Sequence, residues 1–484
     1  MSDNDRTALF PTRLIIGDQR PDRASGGWYE HVSPVTGRAQ AGLSLAGTAE
    51  VDEAVAVARA ALAGWRRWDP VERRRVLMRF AQLIREHAQE LSTIAALELG
   101  QPKAFTGYLP VGGAAWLEEA AGWADRLHGQ ASPLSERGVL EYTAIEPYGV
   151  VAALSTWNGS VNAFCMSVAA PLAAGCTVVA KPSELAPFSS LRAAELALEA
   201  GLPAGVLNVL VADVKVSQAL VSHPGIDKIT FTGSPNSARQ IAAAAAPQLT
   251  PCVFELGGKS AALVFEDGDL DRALEVASAL MLNAGQICTL GSRILVQRSV
   301  HEQFVERLSE RVAAARPGDP FEEGVTMGPV ISQAALDRIL GMIGRARNYG
   351  TTVTGGQRIG GALSDGYFVA PTVVQLRDNT GELARDEVFG PVVGVQVFDD
   401  EDAAVGIAND TDYGLAGYVF TAEIGRAHRV AAALDTGNVG VNGGVAPAGP
   451  HLGFGGRRNS GYGRQGGLGG VMEFVSPKTV QIRL

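Results

Sequence analysis

Residues 149–181, GVVAALSTWNGSVNAFCMSVAAPLAAGCTVVAK, decide the fold of this 484-residue chain. A short apolar, β-rich run at 150–154 reads as a strand. A polar turn follows, then a helical pattern at 163–172 and a second strand at 177–180. The alternation continues with a helix at 191–199, strands at 207–211 and 228–231, and a helix at 235–245. Strand and helix at this spacing imply a parallel sheet covered on both faces.

Upstream of Gly149 the pattern is helical, at 51–62 and 71–99, with Gly100 as the stop. A strand-like segment at 139–145 separates the two regimes. A second alternating block runs from about Ser260 past Cys288 to about Asn442, with strong helical patterns at 269–283 and 300–315. The stretch 443–470 is too dense in glycine for a regular element, and 479–484 reads as a terminal strand. No internal repeat or low-complexity tail is visible.

Hydrophobic residues make up 46% and charged residues 19%, the profile of a globular enzyme rather than a disordered chain. A net charge of −10 without a long basic run argues against nucleic acid or an anionic membrane as partner. The polar start, Met1 to Arg6, has no apolar signal core behind it. The longest apolar stretch, 168–180, is broken by Pro171 and Gly175 and is too short to span a bilayer. Four cysteines, at 165, 176, 252 and 288, lack metal-type spacing. A reducing cytoplasm suits free thiols, and no metal is expected.

Chemistry concentrates in three places. Gly285-Gln286-Ile287-Cys288-Thr289 offers a thiol, which attacks carbonyls once activated. Phe254-Glu255-Leu256-Gly257-Gly258-Lys259-Ser260 offers a carboxylate between apolar neighbours, a setting that raises its pKa towards that of a general base. Thr156-Trp157-Asn158 offers an amide after a strand. Any one alone has a bland reading: a lone cysteine is more often a buried spacer, a glutamate a solvated strand end, an asparagine a turn residue.

Together, and in this order, they resemble the aldehyde dehydrogenase superfamily, in its hydrolytic, non-acylating branch. Lys181-Pro182-Ser183-Glu184, Phe231-Thr232-Gly233-Ser234, Met327-Gly328-Pro329, Glu387-Val388-Phe389-Gly390-Pro391, Asn409 with Tyr413-Gly414-Leu415, and Gly453-Phe454-Gly455-Gly456 extend the match along essentially the whole chain. The resemblance implies Cys288 as nucleophile, Glu255 as the base for deacylation and Asn158 as oxyanion donor. It assigns Trp157, Lys181, Ser183, Glu184, Gly233, Ser234, Leu256, Glu387 and Phe389 to an NAD cofactor, with NADP possible. Glu184 at the adenine ribose favours a 2′-hydroxyl over a 2′-phosphate. Gly159, Ala163, Met166, Ile287 and Thr289 fall at the substrate tunnel.

The implied architecture is an α/β aldehyde dehydrogenase-like fold with three parts. Residues 1–128 and 148–254 form a Rossmann-like cofactor domain, 255–456 an α/β catalytic domain, and 129–147 with 470–484 a β oligomerisation arm. A homodimer or homotetramer follows by resemblance. The implied reaction is oxidation of an aldehyde to its acid through a thiohemiacetal and a thioester. A cysteine thioesterase or hydrolase, or a non-catalytic paralogue, are the other readings.

Three departures stand out. Ala238 replaces a second glycine that many members carry after the 231–234 turn. Ser167 and Gln465 stand where many hydrolytic members carry a lysine and a glutamate that share a proton path from the catalytic glutamate, so another proton route is expected here. Gly159, Ser160 and Ala163 stand where bulkier groups often narrow the tunnel; either larger groups elsewhere compensate, or the tunnel is roomy and takes an aromatic or bulky apolar aldehyde.

Overall fold

The computed structural model describes residues 7–132, 136–443 and 449–483. The expected segments' residues at 1–6, 133–135, 444–448 and 484 lie outside these. Two mostly parallel sheets and a small antiparallel one organise the chain.

The first sheet has six strands, in spatial order Gly461–Tyr462, Cys252–Leu256, Lys228–Gly233, Val150–Leu154, Thr177–Lys181 and Leu207–Val209. All pairings are parallel except that of the Gly461–Tyr462 edge. The helix Ser160–Ala174 that follows Val150–Leu154 is apolar almost all round, as a helix buried on every side must be. Only Asn162 and Met166, one turn apart, keep some exposure on it. The expected elements between 149 and 245 are all observed, with ends shifted by up to three residues, but the helix Val214–Val221 between the strands at 207–209 and 228–233 was not expected.

The second sheet has seven strands, in order Gly350–Thr354, Thr372–Leu376, Val392–Phe398, Arg293–Gln297, Ala261–Val264, Ala416–Phe420 and Asn438–Val441. Its central strands are buried on both faces. The third pairs Val475–Arg483 antiparallel to Val139–Pro147, which also pairs Ala131–Ser132.

Three expectations need correction. The helical pattern at 71–99 is two helices, Pro70–Glu86 and Ala88–Leu99, broken at His87 (φ −97°, ψ 17°). The helix expected at 269–283 stops at Ser278, passes through a 3₁₀ segment, and then takes left-handed φ of 49°, 50° and 71° at Asn283, Ala284 and Gly285. Apolar periodicity runs straight through this break, which side-chain hydrogen bonds from Asn283 hold open.

The glycine-rich stretch 443–470 contains the short strands Arg457–Arg458 and Gly461–Tyr462 and the start of the helix Gly467–Met472. A Cβ at Gly461 would lie 2.0 Å from the Phe254 carbonyl. Glycine is what lets this segment close onto the sheet edge opposite Glu255.

Candidate active site

Counted in sequence order, the five parallel strands of the first sheet run 3-2-1-4-5, from Leu207–Val209 to Cys252–Leu256. The winding direction changes between Val150–Leu154 and Lys228–Gly233. Open parallel sheets place ligands off the carboxyl ends at such a switch point. A cavity of about 360 Å³ opens there, lined by Trp157, Lys181, Ser183, Glu184, Gly233 and Ser234 among others.

Lys181 and Glu184 form an ion pair at 3.1 Å across the turn after one strand. Ser234 caps the helix Pro235–Ala245, its hydroxyl accepting from the Ser237 N–H, so that helix points its N-terminus at the cavity. Ala238, on the same helix, is buried. The residues fit a dinucleotide: a carboxylate and an ammonium group suit ribose hydroxyls, and the turn into the helix suits a pyrophosphate.

Glu387 and Phe389 come from the 387–391 segment. The Phe389 ring meets Trp157 edge-on, centroids 5.5 Å apart. Glu387 accepts from the Gly258 N–H at 3.2 Å, and burial pushes its carboxyl up to about 7. A Cβ at Gly257 would lie 2.0 Å from the Glu387 carboxylate, so this approach requires glycine. Leu256 is buried, its N–H given to the Ser460 carbonyl.

Asn158 and the Cys288 segment are joined directly. The Asn158 amide donates to the Gln286 carbonyl at 2.9 Å, which leaves its second N–H for another acceptor. Asn283 donates to the Asn158 carbonyl at 3.0 Å and to the Gln286 carbonyl at 3.1 Å. The Gln286 side chain accepts from the Ile331 N–H at 2.8 Å. These bonds fix the loop that carries Cys288. Sequence reasoning did not find Asn283 and Gln286, because amides in a loop carry no periodic signal.

Cys288 is partly exposed, yet its thiol is desolvated; burial first, then Glu387 and Glu255, push it up to about 12. Glu255 is 2% exposed, and neither of its carboxylate oxygens has a hydrogen-bond partner among the described residues. Burial holds its carboxyl well above the usual range, Arg464 pulls it back and Glu473 adds to the rise. An unpaired buried carboxylate costs stability wherever it ionises, so such a group points to chemistry rather than to packing.

Gly159 and Ala163 abut, a Cβ at the former falling 2.9 Å from the methyl of the latter. Met166 faces Trp116 and Gly466 across a small cavity. Ile287 shares another small cavity with Glu387 and Phe389. Thr289 is buried, its carbonyl accepting from the Tyr418 hydroxyl at 2.8 Å. Ser167 is buried and donates to the Phe164 carbonyl, and the Gln465 side-chain carbonyl is buried with no partner among the described residues. No cluster of metal-ligating side chains occurs among the described residues, and no helix among them is long and apolar enough to cross a membrane.

A cavity off the carboxyl ends of the first sheet, together with a thiol loop bonded to Asn158, is the site of an α/β enzyme suited to a nucleotide cofactor. The chain belongs to the aldehyde dehydrogenase family, whose sequence model matches residues 22–480. It is 31% identical to betaine aldehyde dehydrogenase from Staphylococcus aureus solved with NAD⁺, over 99% of this chain and 97% of that one, with a TM-score of 0.96. PnpE from Pseudomonas sp. WBC-3 is 35% identical over 98% and 97% of the two chains, with a TM-score of 0.95. A structure from Burkholderia cenocepacia assigned to the aldehyde dehydrogenases is also 35% identical, over 98% of each chain, with a TM-score of 0.96. The protein is therefore an aldehyde-oxidising oxidoreductase.

Proposed function

We propose that the enzyme oxidises an aromatic or bulky apolar aldehyde to its carboxylic acid with NAD⁺, through covalent attachment to Cys288. The observation that carries this reading is the Asn158 amide bound to the loop of Cys288 across 128 residues of sequence, with an unpaired buried carboxylate at Glu255. Betaine aldehyde dehydrogenase from Staphylococcus aureus has been solved with NAD⁺ and a BME-modified cysteine, and PnpE with nicotinamide adenine dinucleotide, which supports both the cofactor and a reactive thiol.

In this mechanism the Cys288 thiol gives its proton to water as its sulfur attacks the aldehyde carbon. The free Asn158 N–H and the Cys288 backbone N–H stabilise the oxyanion of the thiohemiacetal. Lys181, Glu184, Gly233, Ser234, Glu387 and Phe389 hold the dinucleotide, which supplies the hydride acceptor when bound. Glu255 then draws a proton from the water that hydrolyses the Cys288 thioester, releasing the acid and the thiol. Ser167 carries no charge and Gln465 cannot ionise, so the proton leaves Glu255 through water or backbone carbonyls.

Residues 1–128 with 148–254 serve as the cofactor domain, 255–456 as the catalytic domain, and 129–147 with 470–484 as an oligomerisation arm. Leu140 and Ile482 are register partners in that arm, 43% and 41% exposed, with Tyr142 on the same face. Such an exposed apolar patch suits a homodimer or homotetramer. Free cysteines and a working thiol suit the cytoplasm.

Gly159 and Ala163 leave the wall beside Asn158 without bulk. In an aldehyde panel from acetaldehyde to cinnamaldehyde size, run with both NAD⁺ and NADP⁺, the largest apolar members are expected to show the highest kcat/KM, with NAD⁺ preferred. A preference for acetaldehyde would remove the substrate reading. Gly257→Ala tests the cofactor assignment. Its methyl pushes Glu387 off the Gly258 N–H, and calorimetry is expected to show NAD⁺ affinity about tenfold weaker, the cost of a charge-assisted hydrogen bond. Unchanged affinity would detach Glu387 from the nucleotide.

A further inference from the structure

The turn carrying Asn158 is held by a buried carboxylate that does not line the cofactor cavity. Glu98, at the end of the helix Ala88–Leu99, is fully buried. One of its oxygens accepts from the Ser160 hydroxyl at 2.6 Å and the Ser189 hydroxyl at 2.5 Å. The other accepts from the Phe188 N–H at 2.8 Å and the Ser189 N–H at 3.4 Å. The two serine hydroxyls also touch each other.

These bonds reach two functional segments. The helix Phe188–Glu199 has no side-chain cap of its own, and Glu98 caps it from a distance. That helix follows the turn bearing Lys181, Ser183 and Glu184. On the other side, the Ser160 N–H donates to the Trp157 carbonyl at 3.0 Å, closing a four-residue turn with Asn158 inside it. Ser160 sits at φ 46°, left-handed backbone that a non-glycine residue adopts only under constraint. The hydroxyl clamped onto Glu98 supplies that constraint. The turn cannot relax unless Ser160 leaves a buried carboxylate.

We propose that Glu98, acting through Ser160, is a positioning residue that sets the direction of the Asn158 amide. The inference rests on the reading of Asn158 as oxyanion donor. Glu98 touches neither substrate nor cofactor. It acts by holding the closing residue of the turn, and its Ser189 and Phe188 bonds hold the start of the neighbouring helix. A purely structural role would affect melting and little else. A positioning role makes the loss depend on Asn158 itself.

The test is a double-variant cycle with Ser160→Ala and Asn158→Ala, together with NAD⁺ binding by calorimetry. Ser160→Ala is expected to lower kcat by roughly ten- to a hundredfold, the scale of a small misplacement of a catalytic group, with NAD⁺ affinity unchanged. In the Asn158→Ala background the same change is expected to do nothing further, because there is no amide left to aim. Ser189→Ala, which leaves the Ser160–Glu98 bond in place, is expected to lower kcat less than Ser160→Ala does. Ser160→Gly, which accepts the left-handed backbone but lacks the hydroxyl, is expected to match Ser160→Ala and serves in its place if that variant folds poorly. Ser160 variants with wild-type kcat, or losses that multiply in the double variant, would overturn the proposal. If Asn158→Ala alone leaves turnover unchanged, it is the oxyanion reading that fails instead.

Discussion

Cys288→Ala is expected to reduce aldehyde-dependent NADH formation by on the order of 10⁴–10⁶-fold, while NAD⁺ still binds. The loss is large because the thiol opens a covalent route, and nothing else in the site replaces it. Cys165 and Cys176 are fully buried in the core, and Cys252 lies at the start of the Glu255 strand. Cys288 alone stands on a loop bonded to Asn158. Burial and the neighbouring Glu387 and Glu255 carboxylates raise its thiol, so alkylation of the free enzyme is expected to speed up as pH rises. The variant should give no acyl-enzyme mass and no iodoacetamide-sensitive activity. Calorimetry should find its NAD⁺ affinity unchanged, since the 360 Å³ cavity is not lined by Cys288. Measurable turnover in Cys288→Ala would remove covalent catalysis from the account.

Much of this arrangement was legible in the residues and some was not. The strands at 150–154, 177–181 and 228–233 announce themselves because each is a short β-branched or apolar run bounded by Gly, Pro or polar turns. The burial of Glu255 followed from its apolar neighbours. The break after Ser278 did not, since Ala279, Leu280 and Leu282 continue the helical period. Only the three-dimensional bonds from Asn283 reveal why the chain turns there. Gly461 looked like loop material, and its use is a close approach to the Phe254 carbonyl, which no local pattern encodes. Glu98 was invisible for a related reason. A glutamate on a helix is ordinarily solvated, and its serine partners lie 62 and 91 residues away.

Glu255→Gln is expected to separate the two halves of the reaction. Acylation and hydride loss need the thiol, the amide and the dinucleotide, whereas hydrolysis of the thioester needs a base. One equivalent of NADH per active site should appear as a burst, after which turnover falls by roughly 10²–10⁴-fold, the usual worth of a general base. Mass spectrometry should then find the acyl group on the peptide containing Cys288. The wild-type pH profile carries the same signature. Burial raises the Glu255 carboxyl above the ordinary glutamate range, so the base is lost as pH falls through that raised value. The acid limb of the deacylation rate should therefore lie above the usual carboxylate region and should vanish in the glutamine variant. Stability moves in the opposite sense. With the folded pKa above the unfolded one, the folded state holds its proton longer, and stability falls as pH rises from the ordinary glutamate value through the raised one. Glu255→Gln removes that fall, and its melting temperature should equal or exceed that of the wild type at neutral pH. Gln465→Glu supplies the complementary arm: a second carboxylate near this site changes the acid limb if position 465 takes part in proton release, and leaves it in place if water alone carries the proton. Steady turnover without a burst in Glu255→Gln would show that some other group activates the water.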